Sequence, residues 1–307
     1  RNAVYGNHAY VNMNEGLGKT LRFGANDNAV ISRLKWMEEV LAPILHDALE
    51  LSGPINITSM TARGIQRGDD CHNRNKSSTS LFIRKMAPWM VRTKHCKENI
   101  AEALAFIDSN DHFYLNLSIA NCKATMDSLG FVEGSSIVTC MTTNGHTFGI
   151  KIAGCGDEWF LSPAPYAIGN YFTGFSERDA VRTMGDSYIS ETCGVGAFAM
   201  AAALGIGQFI GINTEQAQQF SLDMYPITAT EHTRYLIPVF NYRGTPTGID
   251  VIKVVENKIL PIINTGIAHK KPGIGQIGAG YFRPPLQCFE QALAALQRSE
   301  LKDINGY

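Results

Sequence analysis

The stretch Ser136-Ile137-Val138-Thr139-Cys140-Met141-Thr142-Thr143-Asn144-Gly145-His146-Thr147-Phe148-Gly149-Ile150-Lys151-Ile152-Ala153 marks where the chain changes character. Its β-branched residues fall in two runs, Ser136 to Thr143 and Thr147 to Ala153, around Asn144-Gly145. Asn and Gly tolerate the positive φ angles of a tight hairpin turn, so the stretch predicts two antiparallel strands.

Upstream of it the periodicity is helical. Asp27 sits where an N-cap belongs, and Val30, Leu34, Met37, Leu41 and Ala48 follow at helical spacing until Gly53-Pro54. Pro43 is expected to kink that helix. Further helices are predicted from Thr58 to near Gly68, from Ser77 to Val91 with Pro88 inside, across Ile100, Ala103, Leu104 and Ile107, and from Asp111 to near Gly130. Downstream the reading is a glycine- and proline-rich loop from Gly154 to Gly174 and an apolar helix after Cys193. A helix capped by Thr214 follows, then a second hairpin, Ile249 to Val255 with Ile259 to Asn264. A glycine-rich loop, Pro284-Pro285 and a short amphipathic helix close the chain. The fold class is α+β, a helical domain packed beside a mixed or antiparallel sheet domain with glycine-rich loops. The expected division is 1–26 as an N-terminal segment belonging to the α/β part, 27–130 as the helical domain and 131–307 as the α/β domain.

Composition excludes several partners. The 307 residues carry 27 basic and 28 acidic side chains, a net charge of −1. Nucleic acid and anionic membrane both call for a concentrated positive face, so neither is expected. No uninterrupted apolar run reaches the about 20 residues of a membrane span, the longest candidate, Gly194 to Gly211, being broken by glycines and Gln208, and no secretory signal is read at the start. The chain begins at Arg1 rather than Met, as a trimmed chain or a piece of a longer one does. Seven scattered cysteines, none in a C-x-x-C pair, point to a reducing cytoplasm and away from a structural zinc. No metal and no cofactor is expected. Packing accounts for these thiols, although Cys71 or Cys193 is also eligible as a nucleophile.

Several polar clusters are eligible for chemistry. Gly68-Asp69-Asp70-Cys71-His72-Asn73-Arg74-Asn75 joins two predicted helices. There Arg74 can grip a carboxylate or phosphate, Asn73 and Asn75 can fix an amide, and His72 can move a proton. A solvated turn with helix caps is the competing reading. Ser190-Glu191-Thr192-Cys193-Gly194-Val195-Gly196 precedes the apolar run, whose N-terminus would offer free N–H groups to an anion. Its glycines serve tight packing equally well. Gly273, Gly275 and Gly278 spell G-x-G-x-x-G, but Pro284-Pro285 follows at once and no βαβ unit fits, so the dinucleotide reading is rejected. The same loop, with His269 and Lys270, either wraps a phosphate or is a plain connector. His146 at the hairpin turn and Glu15 in the first glycine turn are further candidates, or ordinary surface groups.

Taken together, Asn14-Glu15-Gly16-Leu17-Gly18-Lys19, Gly68-Asp69 with His72 to Asn75, Thr143-Asn144-Gly145, and Gly266 to His269 with Gly273 to Gly280 resemble the AllG-like (YlbE-like) family along essentially the whole chain. The resemblance implies a subunit of oxamate carbamoyltransferase, which interconverts oxalurate plus phosphate with oxamate plus carbamoyl phosphate in allantoin breakdown. It implies small anionic substrates, AllF-like and AllH-like partner subunits (a homo-oligomer is the alternative), and an N-terminal portion beyond this chain. Such ligands are planar, anionic and amide-rich. That assigns Arg74 to a carboxylate or phosphate, His72 or His146 to the proton, and Asn73, Asn75, Asp70, Glu15, Glu191, Gly194, Gly196, His269 and Lys270 to substrate. A non-catalytic scaffold subunit and a cysteine-dependent amidohydrolase are the alternatives.

Overall fold

A computed structural model describes residues 1–305. Asp27 caps the first helix, accepting from the Val30 N–H at 3.1 Å. Helix α1 (Asn28–Trp36) runs through a π turn, Met37–Leu41, into α2 (Ala42–Ser52). Pro43 lies just past that wider turn, which accommodates a residue lacking an N–H within a continuous helix. Gly53 ends the run at φ +70°. Helix α3 (Ile57–Ile65) is capped by Asn56 rather than Thr58, its side chain accepting from the Ser59 N–H at 2.8 Å. Then come α4 (Lys76–Met90), α5 (Lys97–Ser109) and α6 (Phe113–Met126). Their apolar faces meet in one core that buries Leu41, Ile44, Ile65, Met86, Met90 and Ile107.

The hairpin forms as read. Strands β1 (Val138–Asn144) and β2 (Thr147–Ile152) pair antiparallel, with Thr143 opposite Phe148 and Met141 opposite Ile150. The expected loop from 154 to 174 contains two short strands, β3 (Phe160–Pro163) and β4 (Ile168–Tyr171). Glycine and proline around them hide the alternation. With β5 (Met184–Gly185) the first sheet has the order β3-β2-β1-β5.

After the short α7 (Ile189–Thr192), the apolar run is a 3-10 helix, Gly196–Ala202, and not an α-helix. Gly194 and Gly196 turn the chain at φ +78° and +67° where it begins, and the run is enclosed by core. Helices α8 (Gly207–Ile210) and α9 (Thr214–Leu222) follow, the latter capped by Asn213 in a reciprocal box with Gln216 rather than by Thr214.

The second expected hairpin is also corrected. Strand β6 (Thr228–Ile237) pairs with β7 (Arg243–Ile249), whereas Val251–Asn257 is helix α10, capped by Asp250 on the Ile252 N–H at 3.0 Å. A β-branched run of that length reads equally as strand or helix, and the Asp250 cap decides for helix. The final glycine-rich loop is itself a hairpin, β8 (Ile263–Ala268) with β9 (Gln276–Phe282), and β4 flanks β9. Here glycine permits close strand approach: a Cβ on Gly280 would lie 2.1 Å from the Ile168 carbonyl oxygen. Helix α11 (Leu286–Asn305) packs on β2, β3 and α10.

The architecture is therefore α+β, with a helical layer and three antiparallel sheets among the described residues. The first 26 residues bridge both parts. Asn2 and Asn7 donate to the Ala124 carbonyl of α6 at 3.0 and 2.9 Å, whereas Gly18 and Gly24 accept from Gln276 and Gly273, each at 2.9 Å. No described helix is long and apolar enough to cross a membrane.

Candidate functional site

The loop Gly68–Asn75 between α3 and α4 is shaped by its own carboxylates. Asp69 accepts from the N–H groups of Ser77 at 3.2 Å and Ser78 at 2.6 Å, holding the start of α4, and burial pushes its carboxyl up to about 6. Asp70 accepts from the N–H groups of His72 at 3.0 Å and Arg74 at 2.7 Å, and from the Asn264 side chain of β8. Asn75 donates to the His72 carbonyl at 2.7 Å. Cys71 takes φ +56° inside this turn. These bonds fix where the His72 ring sits.

That ring joins two distant residues. Nδ1 lies 2.8 Å from Glu191 Oε1, and Nε2 lies 2.8 Å from Ser187 Oγ. Glu191, in α7, is fully buried, and its Oε1 also accepts from the N–H groups of Ala197 and Asn264 at 3.1 Å each. Burial raises the Glu191 carboxyl more than His72 and these N–H groups lower it. For His72 burial acts downward, but the facing Glu191 carboxylate, aided by Asp70, outweighs it and the net direction is up.

Of the two glycines beyond Glu191, Gly196 makes room for this pair and Gly194 for the β7 threonines. A Cβ on Gly196 would stand 2.2 Å from Glu191 Oε1 and 2.9 Å from His72 Nδ1, and one on Gly194 would stand 2.2 Å from Thr247 Oγ1. Their N–H groups are already used: Gly196 donates to the Asp70 carbonyl at 2.8 Å and Gly194 to that of Glu191 at 3.2 Å. The expected open helix N-terminus for an anion is therefore not formed there.

His72, Asn73 and Ser187 open onto a cavity of about 820 Å³. Its walls come from α6, the N-terminal segment, β1, β5 and the β8–β9 hairpin. Arg22 and Lys123 are its cations, Glu15 and Asp186 its acids. Lys123 is paired with Asp127. Arg22 donates to the Gly16 carbonyl at 3.1 Å, a bond that leaves guanidinium N–H groups to spare. Gln276 is buried and donates to the Gly278 carbonyl at 3.0 Å, while its Oε1 has no partner among the described residues. His112 Nδ1 is likewise unpartnered among the described residues. Burial first, then Arg22, pushes His112 down to about 4, so this ring is neutral near pH 7.

The structure thus sorts the residues singled out from sequence. His72, Asn73 and Glu15 line the cavity. Asp70, Asn75, Glu191, Gly194 and Gly196 lie behind it and shape it through the bonds above. Arg74, His146, His269 and Lys270 are not among the lining residues. Arg74 Nε donates to the Gly68 carbonyl at 2.9 Å, and its guanidinium faces Gly205. His146 is exposed at the hairpin turn beside Thr147. His269 stands edge-on to Phe175 with ring centroids 5.8 Å apart, and the Lys270 ammonium donates to the Arg178 carbonyl. Ser187, Arg22, Gln276 and His112 escaped the sequence reading. Ser187 stands in Gly185-Asp186-Ser187-Tyr188, which matches no nucleophile motif, and its base is far away in the chain.

A family model described as oxamate carbamoyltransferase subunit AllG matches residues 1–187. The chain is 47% identical to the oxamate carbamoyltransferase subunit AllG of Escherichia coli (strain K12), over 97% of this chain and 72% of that protein. It is 43% identical to the uncharacterized protein YahG of the same organism, over 95% of this chain and 62% of the relative. A crystal structure of a conserved protein of unknown function from Enterococcus faecalis V583 superposes with a TM-score of 0.95 at 45% identity, covering 97% of this chain and 72% of that one.

Proposed function

The chain belongs to the family of oxamate carbamoyltransferase subunit AllG, and on that premise we propose that its central cavity binds the substrates of that enzyme. The reaction is carbamoyl exchange: oxalurate plus phosphate with oxamate plus carbamoyl phosphate. The observation that carries the proposal is the Glu191–His72 pair opening through Ser187 onto a cavity that also presents Arg22 and the carboxamides of Asn73 and Gln276. Arg22 suits the oxamate carboxylate, because a guanidinium meets a carboxylate with two parallel bonds. The unpartnered Gln276 Oε1 accepts from a carbamoyl or oxamate NH₂, and Asn73 offers a further amide. His72 is the proton acceptor for the attacking group. Lys123 and Arg22 together favour the phosphate dianion. AllF-like and AllH-like subunits complete the enzyme, in the cytoplasm, as part of allantoin degradation.

The thiol-based alternative has no geometric support. Cys71 and Cys193 are buried and neither lines the cavity. Burial also pushes the Cys71 thiol well up, away from thiolate.

Calorimetric titration with oxamate, oxalurate and carbamoyl phosphate, singly and in pairs, tests the reading. Binding of oxamate that phosphate tightens is the expected result. A well-folded chain that binds none of them supports the scaffold role instead.

A further inference from the structure

We propose that Ser187 is the nucleophile of the transfer and holds the carbamoyl group as a covalent ester between donor and phosphate. The proposal rests on the carbamoyl-transfer reading above and adds a residue and an intermediate to it. A serine hydroxyl is a weak nucleophile until a base within hydrogen-bond reach takes its proton, and that base works best when a third group orients it. Ser187 Oγ is 2.8 Å from His72 Nε2, and His72 Nδ1 is 2.8 Å from Glu191 Oε1. The three residues come from two segments that no local motif links, the α3–α4 loop and the start of α7.

Their burial is graded. Glu191 is 0% exposed and His72 is 2% exposed, while Ser187 is half-buried and lines the cavity beside Asn73. Of the hydroxyls that line the cavity, which include Thr142, Thr143 and Thr265, Ser187 is the one that His72 Nε2 reaches, at 2.8 Å. The Gly196 Cα beside Glu191 and His72, where no Cβ fits, further holds the pair in one arrangement.

The chemistry balances with no added reagent. Ser187 Oγ attacks the terminal carbamoyl carbon of oxalurate, and the hydroxyl proton passes to His72 Nε2. The bond from that carbon to the oxamate nitrogen breaks, the nitrogen takes the proton from His72, and oxamate leaves. A phosphate oxygen then attacks the carbamoyl carbon, the bond to Ser187 Oγ breaks, and Ser187 regains a proton from phosphate by way of His72. Ser187 and His72 are the catalytic residues. Glu191 is a positioning residue that sets the tautomer and the basicity of the ring.

A covalent carrier permits half of the reaction without phosphate. In the native assembly, labelled oxamate should exchange into oxalurate with phosphate absent. Acid quenching after incubation with carbamoyl phosphate should leave the mass of one carbamoyl group on the peptide containing Ser187. Ser187→Ala should lower the exchange by more than ~100-fold while oxamate still binds. Ser187→Cys should keep an adduct as a thiocarbamate. Glu191→Gln should move the acid limb of the pH–rate profile to lower pH, a shift that a purely structural role does not produce. Exchange that requires phosphate, an adduct on another residue, or undiminished exchange in a folded Ser187→Ala protein overturns the proposal while leaving substrate binding in place. Absence of oxamate binding removes the carbamoyl-transfer reading and this proposal with it.

Discussion

At the scale of single residues, the candidate site depends on a few positions whose neighbours allow no substitute. Gly196 is one. It stands at φ +67°, and its missing Cβ leaves space for Glu191 Oε1 and His72 Nδ1. Gly196→Ala is expected to cost more than ~1 kcal/mol from backbone strain alone, and to part the Glu191–His72 pair as well. Thermal unfolding together with the rate of transfer checks both effects, and an unchanged rate would mean that the pair is not needed. His112 supplies a pH signature. Its folded value, about 4, lies below the ordinary 6.5, so its neutral form is the one that folding favours. The stability it contributes is present above pH 6.5 and is lost as pH falls through about 4, up to about 3 kcal/mol in all. Asp69, raised to about 6, acts in the opposite sense: its contribution is present at low pH and is lost as pH rises through about 6. The informative quantity is therefore the difference between wild type and His112→Asn in denaturant titrations across that range. The variant should lose less stability on acidification. Identical slopes would place the His112 ring in contact with water.

At the scale of elements, what was legible depended on how local the signal was. The β1–β2 hairpin announced itself through β-branched runs around Asn144-Gly145, and the helices up to residue 126 through spacing and the Asp27 cap. The second half concealed its strands because glycine there serves sheet contact. Gly278 and Gly280 sit in β9, where β4 presses against them, yet they read as loop. The apolar run after Cys193 read as an α-helix because apolarity on every side signals burial and carries no period. The site was half legible for the same reason. His72 and Asn73 stood out in a dense polar loop, whereas Ser187 and Arg22 have ordinary neighbours and gain meaning only when the chain brings α7 and the N-terminal segment to that loop. Arg74, the most persuasive anion ligand by composition, is instead held by the Gly68 carbonyl. The N-terminal segment lies across the cavity through residues such as Asn12, Glu15 and Arg22. Saturating oxamate should accordingly slow amide hydrogen exchange over residues 10–23. Exchange that slows only around residues 268–272 would move the site to the β8–β9 turn.

At the scale of the whole molecule, a helical layer and a set of antiparallel sheets are joined by polar contacts that also frame the candidate site. Asp70 and His72 come from the helical side, Glu191 from α7 and Asn264 from strand β8, and their bonds cross the boundary where the cavity lies. Substrate would then bind where both parts and the N-terminal segment meet, so ligand binding and the packing of the two parts are coupled. The chain spans 72% of the E. coli AllG subunit, and the complete enzyme that it serves is the proposed multi-subunit carbamoyltransferase. The most direct test of the account is a crystal structure with oxamate bound. The expected density lies in the central cavity, with the carboxylate on Arg22, the amide within reach of Gln276 and Asn73, and the reactive nitrogen facing Ser187. Oxamate seated at Arg74, or against Lys270 and His269, would contradict it.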